Sequence, residues 1–482
     1  MAPTISVAVF SILIGLGTKF LIHLITSRLP LRHVPGPKPP SLIWGEEARL
    51  FYTSPGSHYL GWQRQFGKVV KLSGAFGHPI LCITDPRAIS YILGAQGAYD
   101  KFPKPQGVQR MVQKDACPQS VRHFTSIFYE TSSKLVAQWN KLLDNDNMDE
   151  LEIEVTDWAG RFALETVARA AFSYDFNLLS GEPDPLLEAL DGLTNNEHNA
   201  TSFYMRALFW IFPAILSLGK KGEMVRKTKT ELGDLARRMW REAKVANDSH
   251  ETTLMALMLK ADTDSEQRMD EEEVVAQMRT ILSAGYETVS ATIAWTLYEL
   301  ALNPDIQAKL RAEVTCAPGD PTLDELTSKF PILNAVLLET LRLHPPILEN
   351  HHQADETISV PLSEPIGTSE HRLVIPKGTI LFIPVNVIQT DPDIWGVNAD
   401  SFRIERWLQP GPKPSLLAFS EGPRSCIGKR FAVAEIKALV LTVIRHFSVS
   451  CKHDIEPFQS FVVRPRVKGT PMSSLPLIVK RL

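Results

Sequence analysis

Cysteine is scarce and scattered in this chain. Its five cysteines, at positions 82, 117, 316, 426 and 451, are odd in number and form no C-x-x-C pair. A disulfide framework and a zinc site are therefore not expected, and reduced thiols fit better. Neither sign of charge is in excess. The formal net charge is −3 over 482 residues, no long basic run occurs, and a nucleic-acid partner is not expected. No fixed-period repeat and no low-complexity tract occurs either. What is present, 44% hydrophobic and 22% charged residues, suits one large globular domain or two to three smaller ones.

One long apolar run stands at the N-terminus. Ile5 to Ile25 spans 21 residues, 13 of them large aliphatic or aromatic, with charge entering only at Lys19. Those residues favour membrane insertion by about 4–8 kcal/mol, against roughly 3 kcal/mol for a central lysine. Lys19 is off-centre and its stem can snorkel, so insertion should win. A cleaved signal peptide would carry its basic residues first, whereas Arg28, Arg32 and Lys38 follow the run. An uncleaved single-span anchor is expected, with the body on the cytosolic side. Five prolines between Pro30 and Pro40 then make a stiff, extended hinge.

The chemistry concentrates in residues 419–440, FSEGPRSCIGKRFAVAEIKALV. Cys426 lies between Gly422 and Gly428, whose flexible backbone permits a close approach to a flat ligand. A helix starting after Gly428 would aim its N-terminal amides at the sulfur and favour a thiolate. Arg424 supplies a permanent cation for a carboxylate lying against the loop. A buried structural cysteine is the plainer alternative. Phe419, Gly422, Arg424, Cys426 and Gly428 nevertheless fit F-x-x-G-x-R-x-C-x-G at every fixed position. This resembles the heme-binding loop of the cytochrome P450 superfamily, of the eukaryotic microsomal and fungal-like type. The resemblance implies heme b held by the Cys426 thiolate, which favours O–O cleavage.

A long helix is expected from Asp270 to Leu302, with Asp270 and Glu273 as a capping box and Asn303-Pro304 as the stop. Its middle, AGYETVS, places Gly285, Glu287 and Thr288 among apolar neighbours. An acid and an alcohol there suit proton delivery to a reacting oxygen. A solvated glutamate and a back-bonded threonine are the bland alternative. The segment matches the family's A-G-x-[ED]-T, which implies catalytic roles for Glu287 and Thr288.

FPILNAVLLETLRLHPP predicts a helix in which Glu339 and Arg342 share one face. The pair resembles the family's E-x-x-R motif, and FRIERW resembles its P-E-R-[FW] segment, with Ile404 in place of proline. Glu339, Arg342 and Arg406 are thereby assigned a structural role, with a mere surface pair as the alternative. The family also places a basic residue for a heme propionate on the next strand, where His352, or else His351, falls. Lys429, Arg430 and Lys437 would line a positive surface for an acidic electron donor. One departure stands out: no tryptophan occurs between Trp62 and Trp139, so the family's W-x-x-x-R helix has no counterpart. Arg110, Lys114, Arg122 and His123 are the nearest cations, and none is given its role.

Residues 151–176 read as core helix, and the aromatic-rich stretch around 201–218 reads as core or as an apolar entrance. VIPKGTILFIP reads as a strand pair, and residues 461–479 as a closing hairpin. The expected architecture is mainly α with a minor β portion, a P450 fold preceded by an N-terminal transmembrane helix. Residues 1–28 would be the anchor, 29–40 the hinge and 41–482 the heme-thiolate domain. The resemblance implies a monooxygenase acting on an apolar small molecule, a secondary metabolite or lipid-like compound. Its partners would be an NADPH-dependent flavoprotein reductase and membrane lipid, in the endoplasmic reticulum membrane. A defective or alternatively spliced product with impaired heme binding, and a non-oxidising membrane binding protein, are the rival readings.

Overall fold

Most of the apolar pattern recurs at helical spacing, and helices accordingly carry most of the fold. The computed structural model describes residues 29–94, 99–105, 124–145, 147–194, 199–246, 253–263, 270–367, 371–459 and 462–482. The helices that frame the site are α1 (Glu47–Tyr52), α2 (Ser57–Phe66), α3 (Thr125–Asn145), α4 (Val155–Phe172), α5 (Pro185–Thr194), α6 (Ala200–Phe209), α7 (Gly219–Ala246), α8 (Glu271–Leu302), α9 (Pro331–Leu343) and α10 (Lys429–His446).

α8 is the axis. Asp270 accepts the Glu273 N–H at 2.7 Å, and Glu273 accepts the Asp270 N–H in return, closing the expected capping box. Glu271, Glu272 and Glu273 crowd the positive end of the helix dipole. α8 packs along α4, and α3 packs along α10. A Cβ on Gly285 would sit 3.0 Å from Val167 Cγ2, so the glycine brings α8 and α4 close together. The largest apolar core joins α3, α4, α8, α9 and α10 through Phe128, Trp139, Phe162, Ile293, Leu333 and Leu439.

The strands are β1 (Val69–Ser73), β2 (Pro79–Ile83), β3 (Glu150–Glu154), β4 (Glu349–Gln353), β5 (Ile358–Pro361), β6 (Arg372–Ile375), β7 (Ile380–Pro384), β8 (Phe447–Ser450), β9 (Ile455–Gln459), β10 (Val463–Val467) and β11 (Pro476–Arg481). The largest sheet runs β1-β2-β7-β4. β1 and β2 form a hairpin, with Val69 opposite Ile83, and β7 joins β2 in parallel.

Three expectations are corrected. β6 and β7 flank the Pro376–Gly378 turn but do not pair with each other: β6 joins β5, while β7 enters the large sheet. Their burial explains the split, since β6 is buried on one face and β7 on both. The C-terminal segment is likewise not one hairpin, because β10 pairs with β9 while β11 runs between β3 and β8. Residues 150–154 form β3 rather than the start of a helix. Their alternation, with Leu151 and Ile153 between acids, is a strand pattern. Among the described residues no helix is long and apolar enough to cross a membrane. The run Ile5–Ile25 lies outside them.

Candidate functional site

The Cys426 loop is held by its own backbone. Cys426 N–H donates to the Phe419 carbonyl at 2.8 Å, and Ser420 takes a left-handed φ of 56°. Gly422 has φ 71°, and a Cβ there would lie 1.9 Å from the Leu93 carbonyl oxygen. Only glycine fits such a close approach at that angle. Gly428 precedes the first residue of α10. Cys426 is exposed, which is not the setting of a buried structural cysteine; crowding around its sulfur still pushes the thiol up, against the Gly428 N–H and the Lys429 cation.

Beside the loop, basic side chains converge on one carbonyl. Arg424 donates to the Phe102 oxygen at 2.9 Å, and His352 Nδ1 meets the same oxygen at 2.8 Å. His352 is 2% exposed, and its Nε2 has no hydrogen-bond partner. Lys104 donates to Asn350 at 3.0 Å, and Asn350 donates to Ser420 at the start of the loop. Burial and then the Arg424 charge push Lys104 down to about 8. Burial and then Lys104 push His352 down to about 3. Lys104 and Arg424 are half-buried cations beside a buried, neutral His352, and cations so placed are costly without an anion against them. The donor set fits the carboxylates of a porphyrin edge, and the glycine-walled loop fits its flat face.

Mid-α8 residues face different ways. Ala284 is exposed and Thr288 half-exposed on a helix otherwise buried around them. The Thr288 hydroxyl donates to the Ala284 carbonyl at 2.8 Å, the back-bonded arrangement. Glu287 is 4% exposed, so it is not a solvated helix residue. Its Oε2 lacks a hydrogen-bond partner, and the charges of Arg464 and Asp191 act on it. Burial pushes it up to about 7, against the pull of Arg464.

The three expected scaffold residues meet in one buried knot. Glu339 and Arg342 are each 0% exposed and bond through both carboxylate oxygens, at 2.7 and 2.9 Å. Arg406 Nε, Trp407 Nε1 and the Arg403 N–H also donate to Glu339. Arg342 reaches on to the carbonyls of Gln389, Ala399 and Ser401. Lys429 and Arg430 are exposed, but Lys437 is 2% exposed and donates to the Leu326 carbonyl, so it does not belong to a charged surface.

Arg110, Lys114, Arg122 and His123 lie outside the described residues. Sequence reasoning missed Lys104, Asn350, Arg464 and Asp191. Each lies far along the chain from the residue it serves, and no local spacing marks it. Lys104 left one trace, a lysine fixed between Pro103 and Pro105.

Comparison with known proteins bears on the same site. The family model described as Cytochrome P450 matches residues 98–470. The chain is 30% identical over 538 positions to cytochrome P450 monooxygenase claQ of Ampulloclitocybe clavipes, covering 100% of both. It is 31% identical over 514 positions to claU of the same fungus, covering 96% of this chain and 95% of the relative. Cytochrome P450 monooxygenase 128 of Postia placenta is 30% identical over 520 positions, covering 94% and 93%. The claQ alignment has more positions than this chain has residues, so parts of it face gaps here.

Proposed function

Because the chain belongs to the cytochrome P450 family and is a P450 monooxygenase, we propose that heme b would be held through the Cys426 sulfur. Arg424, His352 and Lys104 would take the porphyrin carboxylates. When bound, the heme supplies the oxidising chemistry, inserting one atom of O₂ into substrate. The chain supplies orientation and protons. Phe419, Gly422 and Gly428 shape the loop so that the sulfur stands clear of the backbone. Thr288 would offer its hydroxyl on the open face of α8, and Glu287 would be a buried source of protons on the same helix. Glu339, Arg342 and Arg406 hold the segment that leads into the loop.

Electrons would come from an NADPH-dependent flavoprotein reductase docking near the exposed Lys429 and Arg430. The substrate would be an apolar small molecule, a secondary metabolite or lipid-like compound. A single-pass anchor in residues 1–28, joined by the 29–40 hinge to the 41–482 catalytic domain, would hold the protein on the endoplasmic reticulum membrane. Exposed apolar side chains support that placement: Leu42, Ile43, Phe76 and Tyr204 are exposed, and Trp44 packs on both Phe76 and Tyr204.

The observation that carries the reading is the Cys426 loop set beside the cation cluster at Phe102. The gaps this chain leaves in the claQ alignment favour one rival, a product impaired in heme binding. Heme titration of the purified chain, followed by turnover with reductase and NADPH, separates the readings. Stoichiometric heme with reductase-driven oxidation supports the enzyme. Absence of heme uptake supports the impaired product, and heme without turnover supports a binding protein.

A further inference from the structure

Gln389 is a buried polar side chain between the Glu339–Arg342 knot and the turn that leads to Cys426. It ends the short helix Val385–Gln389, which follows β7, and is 0% exposed. Its amide nitrogen donates to the Leu341 carbonyl at 3.0 Å and to the Arg342 carbonyl at 2.9 Å. Those carbonyls belong to the last turn of α9, where helix geometry leaves them without an intrahelical donor. Its amide oxygen accepts the Ala418 N–H at 3.1 Å. Two carbonyls on one side and an N–H on the other fix which way the amide points. The Gln389 main chain is held as well, since Arg342 Nη1 donates to its carbonyl at 2.8 Å.

We infer that Gln389 is a positioning residue that transmits the geometry of the knot to the Cys426 loop. This rests on the reading of Cys426 as the sulfur that would hold heme. Arg342 and Arg406 spend their remaining donors on carbonyls between residues 389 and 401. The Gln389 amide makes the bonded step from that segment to residue 418. Ala418 is the middle residue of the turn Leu417–Phe419, which ends in Ser420 with its left-handed φ of 56°. The Phe419 carbonyl accepts the Cys426 N–H at 2.8 Å. Two hydrogen bonds and the backbone of 418–419 therefore join the Gln389 side chain to the Cys426 backbone.

A second buried glutamine is built the same way at the other end of α10. Gln307 is 3% exposed, and its nitrogen donates to the Leu300 and Val449 carbonyls, each at 2.9 Å. Its oxygen accepts the Val449 N–H at 3.0 Å. Gln307 thus ties the end of α8 to β8, which follows α10, whereas Cys426 precedes it. The 18 residues of α10, about 27 Å of helix, lie between the two. Loss of Gln307 reproduces the cost of losing a buried, multiply bonded glutamine and leaves the turn at Ala418 in place.

The test compares Gln389→Met with Gln307→Met, each replacing the amide with an apolar chain of the same length. Amide hydrogen exchange of peptides covering residues 417–426 is followed by mass spectrometry in the heme-free protein. In Gln389→Met those amides should exchange about tenfold faster, the usual weight of one buried hydrogen bond. In Gln307→Met they should exchange as in native protein. With heme bound, Gln389→Met should move part of the reduced, carbon monoxide-bound Soret band away from the thiolate position, and Gln307→Met should not. Equal acceleration in both variants, or none in Gln389→Met, overturns the proposal, as does faster exchange with an unmoved Soret band. Should Gln389→Met fold poorly, Gln389→Asn, too short to span both ends, takes its place with the same expectations. Failure of the native chain to take up heme would count against the function proposed above, and the exchange comparison alone would then decide this inference.

Discussion

Glu339→Ala should be the most damaging single change in the scaffold. It removes a carboxylate that receives five donors, from Arg342, Arg403, Arg406 and Trp407, and leaves Arg342 charged at 0% exposure. Breaking a buried ion pair from one side typically costs about 3–5 kcal/mol, because the remaining charge cannot recover its hydration. A domain's whole stability is about 5–15 kcal/mol, so the loss is a large share. Arg406→Ala should cost less, about 1–3 kcal/mol, since Arg406 is 17% exposed and water can replace part of what it gives. Urea unfolding followed by tryptophan fluorescence measures both. A Glu339→Ala loss below about 1 kcal/mol, or one smaller than that of Arg406→Ala, would show that Glu339 is not the centre of the knot.

Other outcomes follow from the same geometry. Gly422→Ala should shift the loop off Leu93 and reduce heme retention, read as the heme-to-protein absorbance ratio after dialysis; unchanged retention would refute the close approach. Lys104→Ala and His352→Ala should each weaken heme affinity by roughly tenfold, about 1.4 kcal/mol, as measured by heme transfer to apomyoglobin. Equal transfer rates in native and variant protein would remove them from the cluster. Burial pushes Glu47 up to about 7, although Arg206 opposes it. Folded protein thus binds more protons than unfolded protein between about pH 4.5 and 7, so this contribution to stability falls across that window and is flat above it. Glu47→Gln should flatten the fall and be more stable than native protein at pH 8, on the order of 1–3 kcal/mol. Parallel pH–stability curves for the two would contradict it.

What could be read from the sequence was whatever depends on short spacing. The capping box at Asp270, the Glu339–Arg342 helix face and the glycines around Cys426 lie within a few residues of their partners, and the backbone period fixes them. What could not be read depends on pairing across the chain. The turn at Pro376–Gly378 has the composition of a hairpin, yet the fully buried β7 is claimed by β2 and β4. Glu287 and Thr288 are adjacent in sequence and look like a working pair, but a helix turns about 100° between them. Their side chains therefore diverge, Glu287 into the buried interior and Thr288 to the open face. Lys437 falls in the part of α10, Ala434 to Ile444, that the fold buries all round, which helix spacing alone does not show. The anchor and the cations between 110 and 123 fall outside the described residues.

Heme-thiolate ligation by Cys426 is tested most directly by the reduced, carbon monoxide-bound absorption spectrum of native protein beside Cys426→Ala. The native chain should give the red-shifted Soret band of a thiolate ligand, and the variant should lose it. The same band in both proteins would contradict ligation through Cys426.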